Sequence, residues 1–62
     1  MRVKGIRDGQ IVWWAGSAWS PSESDAIELN RDEANRRIRV NNSNNRFLDR
    51  EDQVEAVIVE SR

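Results

Sequence analysis

The chain contains neither cysteine nor histidine. Without cysteine no disulfide can staple the fold, and without either residue a structural zinc site is ruled out. The same absences remove Ser-His and Cys-His nucleophile pairs and any imidazole general base. Long apolar runs are missing as well: none reaches the roughly 18 residues of a membrane span, and the N-terminus lacks the apolar core of a signal peptide. Nor is there an excess of one charge, since ten basic side chains nearly cancel eleven acidic ones. A general polyanion binder would be basic overall, so long duplex nucleic acid is a poor partner. These absences predict a soluble, cytoplasmic, non-enzymatic protein with no membrane contact, no cofactor and no metal.

What remains is short. The 62 residues predict one domain, 1–62, and a domain of this size buries only about 60% of the surface its unfolded chain exposes. With disulfides and zinc excluded, self-association is the remaining stabiliser, and a homodimer is expected.

The residues from Arg2 to Ala15 favour strands, broken by Asp8-Gly9. That pair is a strong hairpin signal, because a type I′ turn needs positive φ at both central positions. If the loop is two residues, Arg7 pairs with Gln10, Ile6 with Ile11, Gly5 with Val12, Lys4 with Trp13 and Val3 with Trp14; a three-residue loop would swap the faces of Trp13 and Trp14. Cross-strand partners share a face. One face then carries Val3, Gly5, Val12 and Trp14, with Gly5 leaving room for the indole. The other carries Arg2, Lys4, Ile6, Ile11 and Trp13, with Lys4 placed for a cation–π contact on Trp13.

Further along, Ser20-Pro21-Ser22-Glu23 reads as a capping box opening a short helical turn. Asn30-Arg31-Asp32-Glu33 reads as a second start, with Asn30 capping and Glu33 reaching back. The spacing predicts a helix from about Arg31 to Asn41, with Ala34 and Ile38 on its buried stripe and Leu29 packing at its start. Arg36, Arg37 and Arg39 then fall in the last turns, where they suit the dipole. The run Asn41 to Asn45 reads as a polar loop, which also accounts for the glycosylation-like tripeptide Asn41-Asn42-Ser43. Phe47 and Leu48 are expected to return to the core or form a turn. Residues 53–60 read as a closing strand, with Val54, Ala56 and Ile58 on one face and Val57 and Val59 on the other. The expected fold is α+β: a three-stranded antiparallel sheet (β-hairpin, short turn, helix, strand) with one helix packed on one face.

Through Asp8-Gly9, Trp19-Ser20, Ala26, Asn30, Glu33-Ala34 and the β-branched run 54–59, the sequence resembles a loose class of very short phage-encoded ββαβ proteins. Most are uncharacterised. Some small phage proteins of similar size act against host defence by binding an immune protein or sequestering a nucleotide signal. The resemblance carries no functional motif onto particular residues, but it implies an inhibitor or sequestering protein of the host cytoplasm.

Adjacent strand residues point to opposite faces, so Trp13 and Trp14 cannot both lie under the helix. Trp14 is expected in the core, and Trp19 at the hairpin end, anchoring the Ser-Pro turn. Trp13, with Ile6, Ile11, Lys4 and Val57, is expected to form an exposed patch on the helix-free side, rimmed by Arg2 and Glu55. Such a patch marks an interface, to be covered by a second copy or a host protein. A second candidate site is the cluster Arg36, Arg37, Arg39 and Arg46, which with Trp19 can hold a phosphate and stack a base. The acidic residues Asp49, Glu51, Asp52 and Glu55 lack calcium-loop spacing and read as a solvated turn. Three functions follow: a binding protein that inhibits or sequesters a host component through the sheet face, a nucleotide or nucleic-acid binder using the arginines, or a structural accessory subunit of a phage particle.

Overall fold

The computed structural model describes residues 1–60. Four strands, β1 (Arg2–Arg7), β2 (Gln10–Trp14), β3 (Trp19–Ser20) and β4 (Glu55–Val59), form one antiparallel sheet in the order β3-β2-β1-β4, with α1 (Arg31–Asn45) on one face. The class is α+β as the sequence predicts. The sheet has a fourth strand, because Trp19 and Ser20 turn back after Gly16 and pair with Trp14 and Trp13. A pairing of two residues leaves no periodicity to read.

The hairpin register is the expected one: Lys4 opposes Trp13, Gly5 opposes Val12, Ile6 opposes Ile11 and Arg7 opposes Gln10. Its turn chemistry explains this, since Asp8 (φ 51°) and Gly9 (φ 77°) both take the positive φ of a two-residue loop. On the other side of β1, Arg2, Val3, Lys4, Gly5 and Ile6 oppose Val59, Ile58, Val57, Ala56 and Glu55. The helix face therefore carries Val3, Gly5, Val12, Trp14, Trp19, Ala56 and Ile58. The helix-free face carries Arg2, Lys4, Ile6, Ile11, Trp13, Ser20, Val57 and Val59.

The start of α1 is a formed capping box: Asn30 Oδ1 accepts from the Glu33 N–H at 2.8 Å, and Glu33 Oε1 accepts from the Asn30 N–H at 3.3 Å. Ala34 is fully buried, and Ile38 and Leu29 are half-buried. The helix does not stop at Asn41 but runs to Asn45. Asparagine weakens helices when its side chain competes for nearby backbone groups. Here Asn41 and Asn45, four apart on one face, spend their amides on Val54 instead: each Nδ2 donates to the Val54 carbonyl at 2.8 Å. Asn41 is thus buried inside the fold and not part of a surface loop.

The capping box expected at Ser20 is not formed. Ser20 is held in β3 opposite Trp13, and a 3-10 turn begins later, at Glu23–Asp25, with Ser22 at its N-cap position and no side-chain cap bond. Ser20 Oγ accepts from the Ser22 N–H at 3.2 Å and donates to Asp25 Oδ2 at 2.7 Å. Phe47 and Leu48 take the turn alternative, bonded back to Asn44 and Asn45, and Phe47 is 86% exposed.

The tryptophans exchange their expected roles. Trp13 is buried at 8% exposure and belongs to the core with Val3, Val12, Ala34 and Val54, whereas Trp14 and Trp19 are only half-buried. The physical reason is the Glu23–Asp25 turn, which packs against β2. Ser20 and Arg2, both on the helix-free face, hold it there through Asp25 (2.7 Å) and Glu23 (3.8 Å). The turn closes over Trp13 from one side, and the Lys4 ammonium lies 6.0 Å from its ring centroid. Trp14 stays half-open because α1 lies chiefly across β4 and β1, leaving the β2–β3 part of the helix face unroofed.

Candidate functional site: an arginine–tryptophan cleft

The unroofed part of the sheet is a cleft of about 420 Å³ between α1 and β2–β3, walled by Arg7, Trp14, Trp19, Arg37 and Asn44 and backed by Val54. Its floor is aromatic. Trp14 and Trp19, cross-strand neighbours, meet edge to face with centroids 5.4 Å apart and planes at 67°, the arrangement aromatic quadrupoles favour. Trp19 also reaches across β2 to Gly5, where the absence of a side chain makes room for it and for Val54. The space at Gly5 therefore serves Trp19, not Trp14 as the register alone implied.

Arg37 crosses from α1 to the sheet, its guanidinium carbon 4.2 Å from the Trp14 ring centroid. A guanidinium stacked on an indole uses its flat face and keeps its in-plane N–H groups for anions. Arg37 Nε is buried and has no hydrogen-bond acceptor among the described residues. Neither Arg37 nor Arg7 makes an ion pair among them; the salt bridges found are Met1–Glu28, Arg2–Glu23, Arg2–Glu28 and Arg31–Glu60. Among the described residues Asp52 is the one carboxylate on the cleft wall. Two cationic heads thus border an aromatic floor with a single counter-charge.

The expected arginine cluster is brought together only in part. Arg37 lines the cleft, and Arg36 joins it in an adjoining groove of about 330 Å³ that also reaches Trp14. Arg39 and Arg46 are exposed and line neither. The dipole explanation falls away for Arg36, Arg37 and Arg39, because α1 continues to Asn45 and its last turn holds no basic residue, whereas Arg46 stands at the C-cap. Arg7, Trp14 and Asn44 were not foreseen at this site. The hairpin register held the signal for Arg7, since a two-residue turn puts it on the face of Gly5 and Val3.

On the helix-free side, Ile6 (47%), Ile11 (49%) and Val57 (56%) are exposed as expected, and a small apolar hollow of about 140 Å³ runs between Lys4, Ile6, Glu55 and Val57. Trp13 contributes no exposed indole to it. Among the described residues no group of three or more Asp and Glu side chains is placed to hold a metal ion, and no helix is long and apolar enough to cross a membrane. Comparison with protein-family models, with curated proteins and with solved structures finds no match. The functional reading therefore rests on the geometry of the cleft.

Proposed function

We propose that this chain is a non-enzymatic binding protein that captures a small phosphate-bearing ligand with a planar base, a mononucleotide or short cyclic nucleotide, in the cleft between α1 and β2–β3. One observation carries the reading: Arg37 lines the cleft stacked on Trp14, with no ion pair among the described residues. Stacking uses the flat face of the guanidinium and leaves its in-plane N–H groups for an anion, so a phosphate oxygen in the cleft meets the terminal Nη groups. The phosphate sits between Arg37 and Arg7, and the base lies on the indole surface of the floor. The cleft volume falls in the range of about 300 to 1,000 Å³ common to small-molecule sites. Joined to the resemblance to short phage proteins, the role that follows is sequestration of a host nucleotide signal in the cytoplasm.

The test is a titration of intrinsic tryptophan fluorescence with purine mononucleotides, a cyclic dinucleotide and inorganic pyrophosphate. A saturable change that pyrophosphate competes away, and that weakens as salt rises, is the expected result. No saturable change with any of these probes removes the proposal.

A second reading, binding of a host protein on the helix-free face, is favoured by the adjacent exposure of Ile6, Ile11 and Val57. It predicts a contact that salt barely affects, and one that Ile11→Lys abolishes while the cleft variants leave it intact.

A further inference from the structure

The two edges of the sheet are unlike. At one edge β3 has only two residues and runs straight into Pro21, a residue that cannot donate to a ladder. That edge is blunted, as edges of stable monomers usually are. At the other, β4 presents Glu55-Ala56-Val57-Ile58-Val59 with no lysine, proline or bulge, and no described strand lies beyond it. None of its five residues is buried, although four are apolar. Their counterparts one and two strands inward include Val3 at 0% and Val12 at 3% exposure. A five-residue edge whose only charge, Glu55, stands at its first position leaves a four-residue apolar run as a template for another strand.

We propose that β4 pairs antiparallel with β4 of a second copy, joining two sheets into one of eight strands. The choice of a second copy rests on self-complementarity. A two-fold axis perpendicular to the sheet keeps both helices on one side and requires each residue to face one of its own side of the sheet. The register that overlaps all five residues is centred on Val57: it sets Val57 against the partner's Val57, Ala56 against the partner's Ile58, and Glu55 against the partner's Val59. No like charges stand opposite each other within the paired strands, which cross-strand pairing would penalise. The helix-free face then carries one unbroken row, Trp13, Lys4, Val57 and the same three residues in reverse from the partner, because Lys4 opposes both Trp13 and Val57 within each copy. This pairing also answers the size problem, since a 62-residue chain has a thin core of its own. It is independent of the proposed ligand site, for no residue of β4 lines the arginine–tryptophan cleft.

The experiment is native mass spectrometry with sedimentation equilibrium on the full chain and on Val57→Lys, Val57→Glu and Ile11→Lys, each checked for fold by circular dichroism. The wild type is expected to be a dimer, the two Val57 variants monomers, and their equimolar mixture a heterodimer in which lysine meets glutamate across the axis. Ile11→Lys, on β2 and about half exposed like Val57, stays dimeric. A wild type that remains monomeric up to the highest soluble concentration overturns the proposal. So does a dimer that survives both Val57 variants, or one that Ile11→Lys disperses, which assigns association to the sheet face. Hydrogen exchange on the wild type gives a reading that needs no variant: alternate β4 amides gain protection with protein concentration, and equal exchange at low and high concentration refutes the pairing.

Discussion

Asn45, in the last turn of α1, brackets the backbone of Val54: its Nδ2 donates to the Val54 carbonyl at 2.8 Å and its Oδ1 accepts the Val54 N–H at 3.1 Å. One side chain thereby imitates a neighbouring strand just where β4 is about to begin. Asn45→Ala leaves the Val54 N–H without its partner in a part-buried position, while Asn41 still serves the carbonyl. The expected cost is about 1 to 3 kcal/mol, read as a lower urea midpoint. Asn45→Asp costs more, because a carboxylate oxygen then faces the Val54 carbonyl. If both variants unfold with the wild-type midpoint, the bracket does not hold the fold.

Gly5 is the second point where two elements meet without slack. A Cβ there would overlap Cγ1 of Val54 and approach Cζ3 of Trp19 at 3.2 Å. Gly5→Ala therefore forces either Val54 or the cleft floor to move, at about 1 to 3 kcal/mol. Ordinary strand preference would instead make alanine the better residue. A thermal melt decides between them, and a variant as stable as the wild type shows that the packing can give.

How much of this was readable from the sequence follows from the range of the forces involved. The hairpin register came from two residues, Asp8 and Gly9, whose backbone preference acts locally. The helix start came from Asn30 and Glu33, three apart. The helix end did not, because Asn41 and Asn45 are weak helix formers stabilised by Val54, thirteen and nine residues away. The parity of Trp13 was read correctly, but its burial was not. Burial depended on where the Glu23–Asp25 turn would land, which bonds from Arg2 and Ser20 decide in three dimensions. At the cleft, the arginine cluster was visible as a cluster, yet only a helix placed over β4 and β1 selects Arg37 from it and sets Arg7 beside it.

Trp13 is a core residue, so its truncation tests the fold and not a surface. Trp13→Ala removes a buried indole at about 3 to 5 kcal/mol. Against a total stability of about 3 to 9 kcal/mol for a chain of this length, the variant loses about a third or more of its stability and melts well below the wild type. Ile11→Ala, two residues away but 49% exposed, costs about 1 kcal/mol or less. Circular dichroism melts of the two variants separate these expectations, and a Trp13→Ala protein that melts like the wild type contradicts the burial.

The cleft makes a prediction in which stability and binding respond differently to one residue. Arg37 contributes a stacked cation to Trp14, worth about 0.5 to 2 kcal/mol depending on its desolvation, and Arg37→Gln forfeits that together with the anion contact. A hydrogen bond to a charged group is worth about 1.5 to 3 kcal/mol, so affinity for a nucleotide probe falls roughly 10- to 100-fold. Arg37→Lys retains the positive charge but not the planar fork; the fold then keeps most of its stability while the affinity still drops. Arg7 stacks on no ring among the described residues, so Arg7→Gln lowers affinity with little effect on melting. Arg39→Gln, on the exposed side of α1, alters neither. A single set of fluorescence titrations and melts reads all four variants. If Arg39→Gln weakens binding as much as Arg37→Gln, the ligand is held by diffuse positive charge and the cleft is not its site.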